Sequence, residues 1–169
     1  MKSIVTTRLK GRYPPTKISS VIIFSINRFS TVTNGTEVVR EFGKYNIGLT
    51  RMIDPSLAKN AIRLSHSNID MVVAFKQHQS LIKAMQSLGL QVFELPSDGL
   101  ADSVFIEDTL VIADLTAMVT HPGSIFRRAE TERVKTFLQS SFGSTLKIVH
   151  QTEGNLDGGD VLFTGMRLP

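Results

Sequence analysis

The segment "DSVFIEDT" places three acids close together, with Asp102 leading an apolar run and Glu107 and Asp108 adjacent at its end. If the run is a strand, neighbouring side chains point to opposite faces, so one acid could face a cavity while the other faces a second surface. Carboxylates are seldom buried without a partner. A guanidinium suits that role, because it can donate two parallel hydrogen bonds to one carboxylate. The competing reading is a solvated turn opened by Glu107 and Asp108. Two further features carry the same ambiguity. Arg127-Arg128, after "HPGSIF", is either an anion clamp or a solvated pair ahead of a helix. Asp157, before Gly158-Gly159, either orients a catalytic base or simply opens a turn, for which Asp-Gly is well suited.

Other chemistries find less support. The sequence has no cysteine, which excludes disulfides, thiolate metal sites and a thiol nucleophile within these 169 residues. His66, His78, His121 and His150 show no metal-ligand spacing and read as structural residues. No glycine-rich nucleotide loop joins a strand to a helix.

The elements that would position these residues follow from periodicity and turn signals. "YNIGLTRMI" (45–53) reads as a strand, and "DPSLAKNAIRL" as a short helix with Asp54 as N-cap and Pro55 at its first position. A second helix runs from about Ile69 to Leu88. Its apolar residues Ile69, Val72, Val73, Leu81, Ile82, Met85 and Leu88 suit one face, and Gly89 ends it. "LQVFELP" is the next strand. "SVFIEDTLVIADLTAMVTHP" suggests two strands turning near Asp114. "AETERVKTFLQSSFG" (129–143) is an amphipathic helix with Val134, Phe137 and Leu138 inward. "LKIVH" is a strand, and the "LDGGDVLFTG" segment is a turn and a buried strand. Strands and helices recur in a unit of roughly 50 residues, which favours a radial or barrel-like α/β arrangement over an open doubly wound sheet.

One domain is the prior for 169 residues, and 41% apolar with 20% charged residues is ordinary for a globular chain. The net charge of +4 belongs to the N-terminus: residues 1–36 hold six of the 19 Lys and Arg and none of the 15 acids, so the rest is net acidic. No basic stripe with interleaved aromatics points to nucleic acid. "VIIFSI" (21–26) is too short to span a bilayer, so no membrane role is indicated. The basic, acid-free, Ser- and Thr-rich leader has the features of a mitochondrial presequence, with a processing point near Phe29-Ser30. The competing reading is a disordered extension. The expected organisation is therefore residues 1–36 as an extension and 45–169 as the domain, in a mitochondrial or cytoplasmic protein.

Taken as a set, "SLAKNAIRL", "QHQSLIKAMQSLGLQVFELPSD", "DSVFIEDTLVI", "THPGSIFRRAETERV" and "LDGGDVLFTG" resemble the dimethylarginine dimethylaminohydrolase (dimethylargininase) family of the pentein superfamily. They occur in the family's order and at its spacings from about Tyr45 to Gly165. The resemblance implies an α/β pentein fold, a five-bladed αβ propeller around a substrate channel, of which this chain would hold roughly the first half. It implies hydrolysis of asymmetric dimethylarginine and monomethylarginine to citrulline and a methylamine, with no cofactor and no metal. In an intact member that reaction bears on nitric-oxide regulation. A cysteine thiolate attacks the guanidinium carbon, a histidine moves protons, and carboxylates hold the cation.

By the same resemblance Asp108 grips the substrate guanidinium, and Asp102 and Glu107 complete the polar pocket. Arg127 binds the substrate carboxylate, Ile62 stands in an apolar lid, and Asp157 orients the catalytic histidine. The family's histidine, cysteine and second carboxylate-binding arginine lie beyond the "DGGD" strand, whereas this sequence diverges at "MRLP" and ends at Pro169. The expectation is a truncated dimethylargininase, inactive alone, whose partner is a methylated arginine and whose homo-oligomerisation stays open. The alternative is a non-catalytic methylarginine-binding or subunit-interaction protein. An arginine deiminase or amidinotransferase fits the "LDGGD" and "HPGSIFRRAE" forms less well.

Overall fold

The computed structural model describes residues 5–6, 22–24, 45–63, 68–113 and 115–161. A first sheet orders its strands β1 (Val5–Thr6), β2 (Ile22–Phe24), β3 (Ile47–Arg51) and β4 (Gln91–Leu95). β2 runs antiparallel to β3, and β3 parallel to β4. Between β3 and β4 lie a short helix, α1 (Leu57–Asn60), and a long one, α2 (Met71–Ser87). A second sheet orders β5 (Leu110–Ala113), β6 (Thr116–Val119) and β7 (Lys147–His150). There β5 is antiparallel to β6 and β6 is parallel to β7, with helix α3 (Arg128–Phe142) in the crossover. The topology strand–strand–helix–strand thus occurs twice, which is the mixed α/β repeat that the periodicity suggested.

The first strand of the first repeat is where expectation and structure part. Ile22 and Phe24 lie in the segment expected to be a disordered extension over 1–36, yet Ile22–Phe24 pairs with β3 and both side chains are buried. That expectation does not hold for this strand. Ile22–Phe24 is apolar because it enters a sheet, and the basic residues around it in the sequence hid that signal. The proposed processing point and the Asp114 turn lie outside the described residues.

Burial explains the other boundaries. All five residues of β3 are buried, as expected for a strand paired on both sides within a covered sheet. α2 begins at its N-cap Asp70, whose carboxylate accepts from the amides of Val72 and Val73 at 2.9 and 3.1 Å. Its buried face is Ala74, His78, Ile82 and Met85, whereas Val72, Val73 and Leu88 are exposed. The apolar stripe read from sequence was therefore rotated. His78 belongs to the real stripe because its Nε2 meets Glu94 Oε1 of β4 at 2.8 Å. Helix α1 is shorter than expected and has Ser56 as its N-cap. Asp54 acts just before it, accepting from the Ser56 amide at 2.8 Å and from the Ser97 hydroxyl at 2.5 Å.

One core joins the repeats. Ile22, Phe24, Ile47, Leu49 and Leu95 of the first sheet pack with Leu110, Ile112 and Ala117 of the second and with Val134, Leu138 and Phe142 of α3. Phe142 meets Phe24 and Phe93 edge-on, with ring centroids 5.6 and 5.5 Å apart. Contacts of this geometry add about 0.5–1.5 kcal/mol each beyond area burial. The two repeats are thereby held together at one end of α3, whose other end carries the polar residues described next.

Candidate functional site

Loops that leave the carboxyl ends of β3, β4, β6 and β7 carry all of the singled-out residues. The "SVFIEDT" segment is not a strand with acids at its end. Phe105 N donates to Asp102 O at 2.9 Å and Asp108 N to Phe105 O at 3.2 Å, so the chain turns, and Ile106–Thr109 is a 3-10 turn leading into β5. Val104 and Ile106 are fully buried and Phe105 is partly buried, so the apolar run that looked like a strand fills the core from a coiled loop. Thr109 and Thr120 hydroxyls brace it, donating to Ile106 O and Asp108 O at 2.7 and 2.6 Å. The turn of the competing reading is therefore present, but Glu107 is buried in it and Asp108 only part-exposed, and Asp102 is buried as well.

Arg127 is the hub. It sits in the 3-10 turn Ile125–Arg127 just before α3, and only 9% of it is exposed. Its Nε donates to both carboxylate oxygens of Glu130 at 3.2 Å, and its Nη2 to Glu130 Oε2 at 2.8 Å. Nη2 also donates to the carbonyls of Asp102 and Phe105, both at 3.1 Å. Nη1 meets Asp108 Oδ2 at 2.5 Å. Arg127 is therefore no solvated residue, and its Nη1 edge is the one with capacity left for a ligand. Arg128 opens α3, donating to Pro122 O at 3.2 Å.

Burial works to lower the Arg127 pKa, but hydrogen bonds and charge from Glu130, then Asp108, outweigh it and hold the guanidinium firmly cationic. Glu130, 1% exposed, is pushed upward by burial, and the nearby Asp102 and Asp98 add to this while Arg127 opposes it. A second buried pair lies alongside. Arg51, at the end of β3, is 1% exposed and bonds Asp98. Burial lowers its pKa, and the charges of Asp98 and Glu130 counter that.

The paired glycines now have a reason. Gly159 N donates to Asp108 Oδ1 at 3.2 Å, so the turn 157–160 docks on the acid turn 51 residues earlier. A Cβ on Gly158 would fall against the Glu107 carbonyl oxygen and 2.7 Å from that of Leu110, and one on Gly159 against the Asp108 carboxylate. Asp157 occupies the N-cap position of this 3-10 turn without a side-chain capping bond, and its Oδ1 is buried with no hydrogen-bond partner. The buried strand expected after the glycines is not formed at Val161, which is 37% exposed, and Leu162–Pro169 lie outside the described residues. Ile62 is 61% exposed while its amide donates to both oxygens of Asp102 at 3.1 and 3.2 Å.

The structure thus gathers Asp102, Glu107, Asp108, Arg127 and Asp157, with Ile62 tied to one edge. It adds Glu130, Arg51 and Asp98, which the sequence reading passed over. The signal for Glu130 was its place three residues after Arg127 at a helix start. Among the described residues no group of three or more His, Asp or Glu is arranged for a metal ion. His78, His121 and His150 play other parts, and His66 lies outside the described residues. Asp108 keeps lone pairs beyond its bonds to Arg127 and Gly159, so it can accept from a further cationic donor.

No protein-family model matches the chain. Among curated proteins it is 34% identical over 119 residues to the N(G),N(G)-dimethylarginine dimethylaminohydrolase of Streptomyces coelicolor, covering 69% of this chain and 45% of that protein. It is 31% identical over 97 residues to the protein of the same name from Pseudomonas aeruginosa, covering 57% of this chain and 38% of that one. The structure of the Pseudomonas aeruginosa protein, as a Cys→Ser mutant complexed with citrulline, superposes with a TM-score of 0.65 at 28% identity. That match covers 71% of this chain and 47% of the other. The chain spans less than half the length of the curated relatives it matches. Over that shared part, with the acid turn, the Arg127 hub and the Gly-Gly turn in one site, the chain belongs to the dimethylarginine dimethylaminohydrolase family.

Proposed function

We propose that this chain carries the guanidinium-gripping part of a dimethylargininase site within a partial pentein propeller. Asp108, with Glu107 beside it, receives the guanidinium of a methylated arginine. Asp102 fixes the backbone at Ile62, whose side chain stands over the site as an apolar lid. Arg127 offers its Nη1 edge to the substrate carboxylate. Asp157 has a buried carboxylate oxygen without a donor, as a residue that orients a histidine would need. The observation that carries this reading is the Gly159–Asp108 hydrogen bond, because it unites two acids whose proposed roles belong to one reaction.

In an intact site, attack of a thiolate on the guanidinium carbon would expel the methylamine, and water would release citrulline. Asp108 would stabilise the cation through the tetrahedral intermediate. These 169 residues contain no cysteine, so we infer that the chain alone binds methylarginine without turning it over.

Titration calorimetry with asymmetric dimethylarginine and monomethylarginine tests the binding, beside an assay for citrulline. The expected result is saturable binding, weakened at least about tenfold by Asp108→Asn because a charge-assisted hydrogen bond is lost. Absence of binding, or binding indifferent to Asp108→Asn, rejects the reading. Citrulline formed by the purified chain rejects the inference of inactivity.

A further inference from the structure

Asp108 poses an electrostatic problem. Its Oδ2 already meets a guanidinium, that of Arg127, at 2.5 Å. An acid paired one-to-one with an arginine presents little net charge to a second cation. The structure holds the remedy in Glu130, which grips the opposite edge of the same arginine through Nε and Nη2. Glu130 is 1% exposed, so solvent does little to screen it.

We propose that Glu130 is the positioning residue that leaves Asp108 free to bind a cationic substrate, by neutralising Arg127 from its far side. Asp108, Arg127 and Glu130 together carry one net negative charge, which matches one guanidinium. The same contacts fix direction as well as charge. With Nε and Nη2 committed to Glu130 and to the Asp102 and Phe105 carbonyls, Nη1 alone points to Asp108. Among the neighbouring charges Arg51 and Asp98 pair and cancel, whereas Asp102 and Glu107 add negative charge beside the group. The Asp102 carboxylate is engaged by the Ile62 amide. Arg133 adds a positive charge on the Arg51 side. This inference rests on the reading of Asp108 as the guanidinium acceptor.

The test compares a cation with a neutral analogue of nearly the same shape. Monomethylarginine and citrulline share the amino-acid moiety and differ in carrying a guanidinium or a urea. In Glu130→Gln the site retains the side-chain shape, while the Asp108–Arg127–Glu130 group loses its net negative charge. The expected result is a roughly tenfold or greater loss of monomethylarginine affinity, with citrulline affinity changed about twofold or less. Equal weakening of both ligands would mean that Glu130 only supports the fold, and no change for either would mean that its charge is not felt at Asp108. Each of these results overturns the proposal. If Glu130→Gln does not fold, Arg127→Met/Glu130→Leu removes both charges and leaves Asp108 alone. The proposal then expects monomethylarginine still to be preferred over citrulline, and loss of that preference overturns it.

A ligand-free measurement separates this proposal from the functional reading on which it rests. In urea unfolding, Asp108→Asn should cost more stability in the Glu130→Gln background than in the native chain, because Asp108 is then the only carboxylate on Arg127. If the native chain binds neither ligand, the functional reading fails, and this cycle alone decides the role of Glu130. A larger cost in the Glu130→Gln background supports it, and an equal or smaller cost overturns it.

Discussion

Gly158→Ala offers a demanding check on the docking of the 157–160 turn. The new methyl group would lie against the Glu107 carbonyl oxygen and 2.7 Å from that of Leu110, well inside the ordinary contact distance of about 3.4 Å or more. Both obstacles are backbone, and the turn that holds them is braced by the Thr109 and Thr120 hydroxyls. It cannot yield as a side chain would. Overpacking of this kind costs about 1–3 kcal/mol, and rigid obstacles favour the upper end. For a chain of this size about 3 kcal/mol corresponds to a melting temperature lower by roughly 6–12 °C. Gly159→Ala is the matched control. Its obstacle is the Asp108 carboxylate, which can rotate away. That substitution should cost about 1 kcal/mol while weakening methylarginine binding, because Asp108 moves. Differential scanning calorimetry and ligand titration on both variants measure this. A Gly158→Ala chain as stable as the native one, or a larger stability loss at Gly159 than at Gly158, would refute the packing argument.

Two further perturbations address the buried charges. Arg127→Met removes the cation between Asp108 and Glu130 and leaves Glu130 buried without it, so stability should fall by about 3–5 kcal/mol in urea unfolding; a loss below about 1 kcal/mol would show that the hub is not what holds these loops. Hydrogen bonds from Ser56, then Ser97, depress the Asp54 pKa against a smaller opposing effect of burial. A depressed acid contributes stability above its unfolded value of about 3.9, and that contribution is lost as pH falls through its folded pKa. The stability gap between the native chain and Asp54→Asn should therefore be widest near pH 6 and close below about pH 4, whereas a gap constant with pH would contradict the assignment.

The parts legible in the sequence were those in which one periodicity dominates. β3, β4, α3 and β7 appeared close to where they were expected, because each is a single apolar run or a helical stripe bounded by Gly or Pro. Long-range pairing was not legible. Ile22–Phe24 is a strand because β3 lies beside it, and composition alone made its surroundings look like a leader. Ile106 occupies the core from a turn, and a local pattern cannot distinguish three consecutive core-facing residues in a loop from a buried strand. His78 joins the buried face of α2 because Glu94 on β4 supplies a partner.

The site shows the same division. Asp102, Glu107, Asp108, Arg127 and Asp157 were singled out by residue type and by resemblance to a family, and the fold brings the loops that carry them together, while their roles are those proposed above. Their internal economy was hidden, since no spacing shows that one arginine would be held from both sides by Asp108 and Glu130, or that Arg51 would be buried against Asp98.

The placement of the site follows from the repeat. Each strand–strand–helix–strand unit contains one parallel pair, β3 with β4 and β6 with β7. Parallel neighbours deliver their carboxyl-terminal loops to the same edge of a sheet, where ligands commonly bind in α/β folds. The first pair sends Asp54, Ile62, Asp98 and the acid turn to that edge, and the second sends Arg127 and the Gly-Gly turn. Because a single core fuses the two sheets, these loops must meet, and the close approach of Gly158 and Gly159 to the acid turn is where they do. The proposed cation-binding site, built in this way, depends on the fit between two repeats. Substitutions at their junction should therefore alter binding even when they remove no group that touches the ligand.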